Sequence, residues 1–179
     1  MAAATALLLC SALLGSSLEV QAQISSSEEY RLKFAFLYNF AKFVDWPADA
    51  FSSKQAPLNI CIIGTDPFDS DLEQQVADRS VNGHPYMTRT ARASDDLGAC
   101  HLVFLPAASD SSLPAILKQV AASGAITVGE SAGFARRGGT VNFVLEGPRL
   151  RFEVNLEASQ RARSRISSRL LSLARIVRE

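Results

Sequence analysis

The sequence predicts an α/β fold, in which one domain has a mostly parallel central sheet of about six strands, flanked by helices and ending in a C-terminal antiparallel hairpin. Short apolar runs closed by glycine alternate with segments of helical periodicity, which is typical of a sheet with crossover helices. Near the C-terminus a four-residue turn separates two alternating strands, and so short a turn requires an antiparallel pair. A chain of 179 residues that is 47% hydrophobic is long enough to bury one core.

The first helix is predicted from its start signal and its periodicity. Serines 25 to 27 precede Glu28 and Glu29 with the spacing of a capping box. Pro47 is expected to end the helix because proline removes a backbone hydrogen bond. The expected core stripe consists of Leu32, Phe36, Phe40 and either Phe43 or Val44.

Predicted strands and helices alternate along the rest of the chain. Strands are expected at 58–64, 86–90, 101–105, 125–128, 140–145 and 150–154, and helices at 69–79 and 111–122. Asn155 is expected to cap a last helix. The core stripe of that helix is expected to be Ile166, Leu170, Leu173 and Val177, with Arg161, Arg165 and Arg169 elsewhere on its surface.

The two faces of the hairpin differ in polarity. Alternation places Val141, Phe143 and Leu145 on one face, with Leu150, Phe152 and Val154 opposite them. Asn142, Arg151 and Glu153 fall on the other face, which we expect to be open to solvent.

Residues 1–22 have the pattern of a signal peptide, so we expect export and a mature domain at 23–179. An apolar run from Ala2 to Leu14 is followed by small residues at the positions that a signal peptidase reads. The run is too short for a permanent span, which needs about 18 apolar residues, and no stable membrane insertion is expected.

Two cysteines remain after the signal, Cys61 and Cys100. In an oxidising compartment a pair of cysteines favours one disulfide. Two buried free thiols are an alternative, and a catalytic thiol beside His101 is a weaker one.

The stretch from Gly129 to Gly133 spells G-x-S-x-G, the pattern of a hydrolase nucleophile elbow. Its serine needs a histidine, and the only histidines, His84 and His101, precede Ser131, whereas the hydrolase order places the histidine after the serine. We therefore expect no enzyme here, and interpret the stretch as a glycine-jointed connection into the hairpin.

Composition argues against several other classes. Residues 149–179 carry eight arginines and three acidic residues, but no nucleic-acid-binding motif accompanies them. The sequence contains neither a C-x-x-C motif nor a metal-binding histidine pair, so no cofactor or metal is expected.

Several segments together resemble the YfiR-like family of periplasmic proteins. They are FLYNFAKFVDWP (36–47), ICIIGTDPF (60–68), CHLVFLP (100–106), ITVGESAGFARRGGTVNFV (126–144), RFEVN (151–155) and ISSRLLSLARIV (166–177). The resemblance implies a periplasmic α/β domain that tends to form homodimers. Cys61 and Cys100 match one cysteine pair of better-known relatives, whereas a second pair, expected near 135–142, is absent from this chain.

The resemblance also implies a function in signalling. A YfiR-like protein is expected to hold the periplasmic sensor domain of a membrane diguanylate cyclase, or of a related receptor, in its inactive state. Our hypothesis for the contact is Glu153 and Arg151 beside Asn142, with Arg165 nearby. The alternative function is a periplasmic small-ligand receptor, because an α/β domain with a cleft at its strand ends can hold a metabolite.

Overall fold

An eight-stranded sheet forms the centre of the computed structural model, which describes residues 24–47, 49–68, 74, 76–121 and 123–179. The helices are α1 (Ser26–Phe40), α2 (Leu113–Val120), α3 (Leu156–Arg161) and α4 (Ser168–Leu171), with 3₁₀ turns at Ala41–Phe43, Ala107–Ser112 and Ala135–Arg137. The strands are β1 (Val44–Asp45), β2 (Leu58–Ile63), β3 (Ser80–Val81), β4 (His84–Ala91), β5 (Leu102–Leu105), β6 (Ile126–Gly129), β7 (Val141–Glu146), β8 (Arg149–Asn155), β9 (Arg165–Ile166) and β10 (Arg175–Val177).

The strand order of the main sheet is β10-β8-β7-β6-β5-β2-β4-β3. Strands β4, β2, β5, β6 and β7 run parallel, and β8 returns antiparallel to β7. The single mixed α/β domain and the C-terminal hairpin are therefore as predicted. The expectation of about six strands omitted β3 and β10 at the edges, which contain two and three residues and are too short to show a period.

Both faces of the central strands are buried, which explains their continuous apolar sequences. In β2, Ile60 and Ile62 pack in the cluster beneath α1, whereas Cys61 and Ile63 pack in the cluster beneath α2. Strand β5 alternates in the same way, so the two core clusters lie on opposite sides of one sheet.

Helix α1 begins as predicted but ends earlier. The Ser25 side chain accepts a hydrogen bond from the Glu28 backbone N–H at the N-terminus. The helix stops at Phe40, and Val44 pairs with Ile166 in a separate two-stranded sheet of β1 and β9. The predicted stripe was also displaced, because Leu32 is 39% exposed. The buried face of α1 consists of Lys33, Phe34, Leu37, Tyr38 and Phe40.

The predicted last helix is wrong. Asn155 caps only α3, and the chain then adopts a positive φ of 57° at Arg163. Instead of continuing the helix, Ile166 joins β9 and Val177 joins β10, where it lies beside Asn155 of β8. Leu173, expected in the core, is 68% exposed. Strand pairing by these residues outweighs the helical spacing of the apolar positions.

The connection from β6 to β7 closes around one aromatic ring. Phe134 is fully buried, and a Cβ atom built on Gly129 or Gly139 would lie 2.3 Å or 2.1 Å from a carbon of its ring. Glycine is needed at both positions because any side chain would occupy the space of the ring. Gly138 also has a φ of 97°, which turns the chain into the hairpin.

Two predictions fall wholly or partly outside the described residues. The predicted signal peptide at 1–22 lies outside them, as does most of the helix expected at 69–79. Within the described part of the chain, no helix is long and apolar enough to span a bilayer.

A disulfide joins Cys61 of β2 to Cys100, which immediately precedes the segment leading into β5. The two Cα atoms are 5.9 Å apart, and both side chains are buried. The neighbouring parallel strands β2 and β5 therefore place the cysteines within bonding distance.

Removing this bridge with the pair of substitutions Cys61→Ala and Cys100→Ala should lower the free energy of unfolding. The bridge spans 39 residues, and closing a loop of that size contributes about 4 kcal/mol through the entropy of the unfolded chain. Urea denaturation measures the difference, and adding a reductant should shift the wild-type midpoint but not that of the variant. Equal midpoints for the two proteins would show that the bridge does not stabilise the fold.

Candidate functional site

A groove lies between the first turns of α1, the loop that follows β6, and the β7–β8 hairpin. We call it the hairpin groove, and its volume is about 410 Å³. Its lining residues are Glu29, Lys33, Glu130, Ser131, Ala132, Gly133, Arg136, Asn142, Phe143, Val144, Leu145, Leu150 and Glu153. It has the size of a small-molecule site or of a pocket for a few partner side chains.

Glu130 and Lys33 form the buried polar centre of one wall. Glu130 follows β6, and its carboxylate accepts hydrogen bonds from the Tyr30 hydroxyl at 3.0 Å and the Ala107 backbone N–H at 2.8 Å. The Lys33 ammonium lies 2.5 Å from the same carboxylate and also pairs with Glu29. These bonds stabilise the charged carboxylate, and the Lys33 side chain is only 5% exposed.

The proximity of Glu130 also changes the acidity of Tyr30. Burial raises the pKa of the Tyr30 hydroxyl, and the nearby Glu130 carboxylate raises it further, to about 12. The hydroxyl therefore remains a hydrogen-bond donor at any physiological pH.

The opposite wall is built from paired positions of the hairpin. Asn142 of β7 lies opposite Glu153 of β8, and its amide donates to the Glu153 carboxylate at 3.3 Å. Arg175 of β10, beside Glu153 in register, donates to the same carboxylate at 3.4 Å. The register of three strands thus places an amide, a carboxylate and a guanidinium in one row.

Asn142 retains one unused hydrogen-bonding atom. Its residue is 2% exposed, and its Oδ1 has no hydrogen-bond partner within the described residues. A buried polar atom without a partner costs about 1–3 kcal/mol. Because Asn142 lines the groove, a donor group bound there would remove that cost if the side chain turned toward it.

The four predicted contact residues are not all together. Asn142 and Glu153 are adjacent but buried, so the expectation that this end of the hairpin face is open to solvent was wrong. The reason is that β10, a strand absent from the prediction, pairs with β8 and brings Arg175 beside Glu153. Arg151 is exposed and lies opposite Val144, nearer the turn.

Arg165 lies on β9, opposite Asp45 in the separate two-stranded sheet. It was expected near the hairpin because the preceding segment was taken to be one continuous helix. The sequence analysis also missed Lys33 and Glu130. A signal for Lys33 exists in the sequence, since it is a single cation within the buried face of an aromatic helix.

The arrangement around Ser131 supports the exclusion of a hydrolase triad. His84 and His101 both stack on the ring of Phe51, with centroid separations of 3.7 Å and 4.3 Å. Hydrogen bonds from Arg137 and from Ser131 lower the pKa of the Asp110 carboxyl. Asp110 therefore forms an ion pair with Arg137 instead of orienting a histidine for Ser131.

Two backbone groups contact the ring nitrogens of His101. Its Nδ1 accepts from the Asn59 N–H at 3.1 Å, while its Nε2 lies 2.9 Å from the Ala50 carbonyl. One ring nitrogen must therefore accept while the other donates. Burial lowers the pKa of His101, the hydrogen bond to Ala50 opposes this, and the neighbouring His84 lowers it further.

Across the described ranges, no group of three or more histidine, cysteine or acidic side chains could hold a metal ion.

The profile of a protein family described as YfiR/HmsC-like matches residues 30–175. The match includes both walls of the hairpin groove except Glu29, and it includes both cysteines. No curated protein matches the chain significantly.

Replacing Lys33 with methionine should destabilise the protein by about 3–5 kcal/mol, because it leaves buried carboxylates without their cation. The double variant Lys33→Met with Glu130→Gln should recover part of the loss, since the uncompensated charge of Glu130 is then removed. Urea denaturation of the single and double variants measures the coupling. Lys118→Met, on the exposed surface of α2, is the matched control and should have little effect. Additive losses in the double variant would contradict the pairing.

Lowering the pH from about 7.5 to about 5.5 should destabilise the protein through His101. The folded-state pKa lies below the ordinary value of 6.5, so in this range the unfolded chain binds the proton more readily than the folded chain. Stability is therefore lost as the pH falls below 6.5 and regained as it rises. Urea denaturation at both pH values should show a smaller decrease for His101→Gln than for the wild type. An identical decrease in both proteins would assign the effect to other groups.

Proposed function

Because the chain belongs to the YfiR/HmsC-like family, we propose that it is exported and inhibits a membrane diguanylate cyclase by binding the periplasmic domain of that receptor. Membership of the family makes it a regulator of cyclic-di-GMP signalling and places it in a regulatory, non-catalytic family. The proposed inhibition lowers cyclic-di-GMP production without any chemical step on the protein.

The observation that carries this proposal is the unsatisfied Asn142 Oδ1 beside Glu153 in the hairpin groove. When the Asn142 side chain turns toward the groove, this acceptor beside a carboxylate can bind a hydrogen-bond donor from a partner protein. The apolar lining from Phe143, Leu145 and Leu150 adds surface that a partner side chain can cover.

Inhibition requires only that the groove binds the inactive state of the receptor more tightly than the active state. A difference of about 100-fold in affinity, or about 2.7 kcal/mol, is enough to change a receptor from mostly active to mostly inactive. One buried hydrogen bond to a charged group contributes about 1.5–3 kcal/mol, so a contact of this kind is of the required size.

The four proposed contact residues have different roles. Asn142 and Glu153 provide the buried acceptors, and Arg151 provides an exposed charge farther along the same face of the hairpin. Arg165, on β9, would belong to a second contact area. Rim charges such as Arg151 affect association more than final affinity.

The proposed assembly includes a second copy of the chain, since the family resemblance implies a homodimer. Sedimentation velocity at several protein concentrations measures that oligomeric state.

The alternative function, a small-ligand receptor, is supported by the groove volume of about 410 Å³. In that case a metabolite would satisfy Asn142 instead of a partner side chain.

The test is a binding assay between the purified mature domain and membranes that contain the candidate cyclase. Asn142→Ala and Glu153→Gln should each reduce retention of the receptor by about tenfold, because each removes an acceptor worth about 1.4 kcal/mol or more. Arg151→Glu should mainly slow association. Cyclic-di-GMP in cells that carry the same variants should rise in parallel.

Arg92→Glu is the matched control, because Arg92 is exposed and lies outside the hairpin groove. Thermal unfolding verifies that every variant is folded. If Asn142→Ala and Glu153→Gln retain the receptor as well as the wild type does, the proposed contact is wrong. If a metabolite fraction, but no receptor, binds in a groove-dependent way, the alternative function replaces it.

A further inference from the structure

A second groove lies on the opposite side of α1 from the hairpin groove. We call it the basic groove, and its volume is about 360 Å³. Its walls include Arg31, Phe34, Tyr38, Lys42, Val76 and Arg79. At about 100° per residue, its helical positions lie about half a turn from Glu29 and Lys33. The two grooves therefore share a helix but no lining residue.

Three cations point toward this groove from two segments of the chain. Arg31 and Lys42 come from the start of α1 and the turn that follows it, and Arg79 comes from the segment before β3. Ala35 lies between Arg31 and Lys42 along the helix, and its small side chain leaves the groove open. The long arms of the cations can therefore reach a shared occupant above Tyr38.

The contacts of these cations within the described chain are all with neutral groups. The Lys42 ammonium lies 4.1 Å from the centroid of the Tyr38 ring and donates to the side-chain Oδ1 of Asn39 at 3.1 Å. The Arg79 guanidinium lies 5.7 Å from the centroid of the same ring. Among the described residues no carboxylate pairs with Arg31, Lys42 or Arg79.

Four arginines elsewhere in the described chain do have acidic partners. The pairs are Arg137 with Asp110, Arg161 with Glu179, Arg163 with Asp49, and Arg175 with Glu146 and Glu153. In the basic groove, by contrast, like charges are gathered around one aromatic ring, and none of the described residues supplies a counter-charge. Such an arrangement is unfavourable alone and favourable with a bound anion.

The acidity of the Tyr38 hydroxyl also reflects the positive charge around the basic groove. Burial raises the pKa of Tyr38, but hydrogen bonds and charges from Arg79 and Lys42 outweigh burial and lower the pKa below 10.0. The phenol therefore lies in a region that favours negative charge.

We propose that the basic groove binds a phosphoryl group, carried either by a small phosphate monoester or by a lipid headgroup. A phosphate monoester carries a charge of about −1.5 to −2 near neutral pH, which three cations can neutralise. Arg79 offers a planar fork of donors and Lys42 a compact charge, the combination that phosphate sites use. Phe34 and Val76 provide apolar surface for the rest of the ligand.

This inference goes beyond the proposed function, because binding of the receptor at the hairpin groove requires none of these residues. A failure of either proposal leaves the other standing. The variants of the basic groove can therefore be tested without the membrane receptor.

The experiment is a calorimetric titration of the full mature domain with phenyl phosphate and with inorganic phosphate, at constant ionic strength. Phenyl phosphate should bind more tightly, since its ring can lie on the apolar part of the groove. Arg79→Gln and Lys42→Gln should each weaken its binding about tenfold, the loss expected for one charge-assisted hydrogen bond. Both side chains are exposed, so neither substitution threatens the fold.

A vesicle-binding experiment distinguishes the two sources of the phosphoryl group. Co-sedimentation with phosphatidylcholine vesicles, with and without phosphatidylglycerol, tests the lipid headgroup. Binding to the phosphatidylglycerol vesicles that is lost in Arg79→Gln identifies a headgroup, whereas variant-sensitive binding of phenyl phosphate identifies a free monoester. Either result supports the proposal.

Arg92→Gln is the control for a general charge effect, because it removes an exposed arginine outside the groove. If it weakens binding as much as Arg79→Gln does, the attraction is non-specific and the proposal is wrong. Absence of binding by all three probes would overturn it equally.

Discussion

The buried ion pair between Lys33 and Glu130 is the interaction on which the arrangement of both grooves depends. It ties the second turn of α1 to the carboxyl end of β6, and Glu130 also holds the start of the 3₁₀ turn at Ala107 through a backbone N–H. A buried pair of this kind stabilises only when its remaining hydrogen bonds are satisfied, and Tyr30 and Ala107 satisfy them here. The pair contributes mainly to conformational specificity, because it forms only when α1 occupies one position along the sheet.

Aromatic packing fixes the rest of that helix. Phe36 and Phe40 of α1 contact both Phe143 and Phe152, which lie opposite each other in the hairpin. The hairpin therefore rests on α1 through its apolar face, and residues of both faces contribute to the lining of the hairpin groove. One register shift in the hairpin would exchange these faces, so the aromatic contacts also determine where the buried acceptors lie.

The sequence could predict what local patterns specify. Alternation in the hairpin placed Phe143 and Phe152 on one face, and the paired strand positions of Cys61 and Cys100 were consistent with the observed bridge. These features depend on a strong period or on neighbouring strands in a parallel sheet.

The features that were missed depend on pairings between distant segments. Ile166 and Val177 have helical spacing, but each joins a strand whose partner lies more than twenty residues away, Val44 or Asn155. The same error wrongly placed Arg165 near the hairpin and hid Arg175, the actual neighbour of Glu153. A short edge strand has too few residues to show a period, so only the folded sheet reveals it.

The position of α1 also bears on whether its two grooves influence each other. Coupling would require an element with two arrangements that both occupants bias. A shift of α1 would have to separate Lys33 from Glu130, and breaking a buried pair costs about 3–5 kcal/mol, more than the 1–3 kcal/mol of a typical allosteric coupling. Helix α1 therefore keeps one position between the hairpin groove and the basic groove. An occupant of the basic groove and a partner in the hairpin groove should bind independently, unless the partner is large enough to touch both sides of the helix.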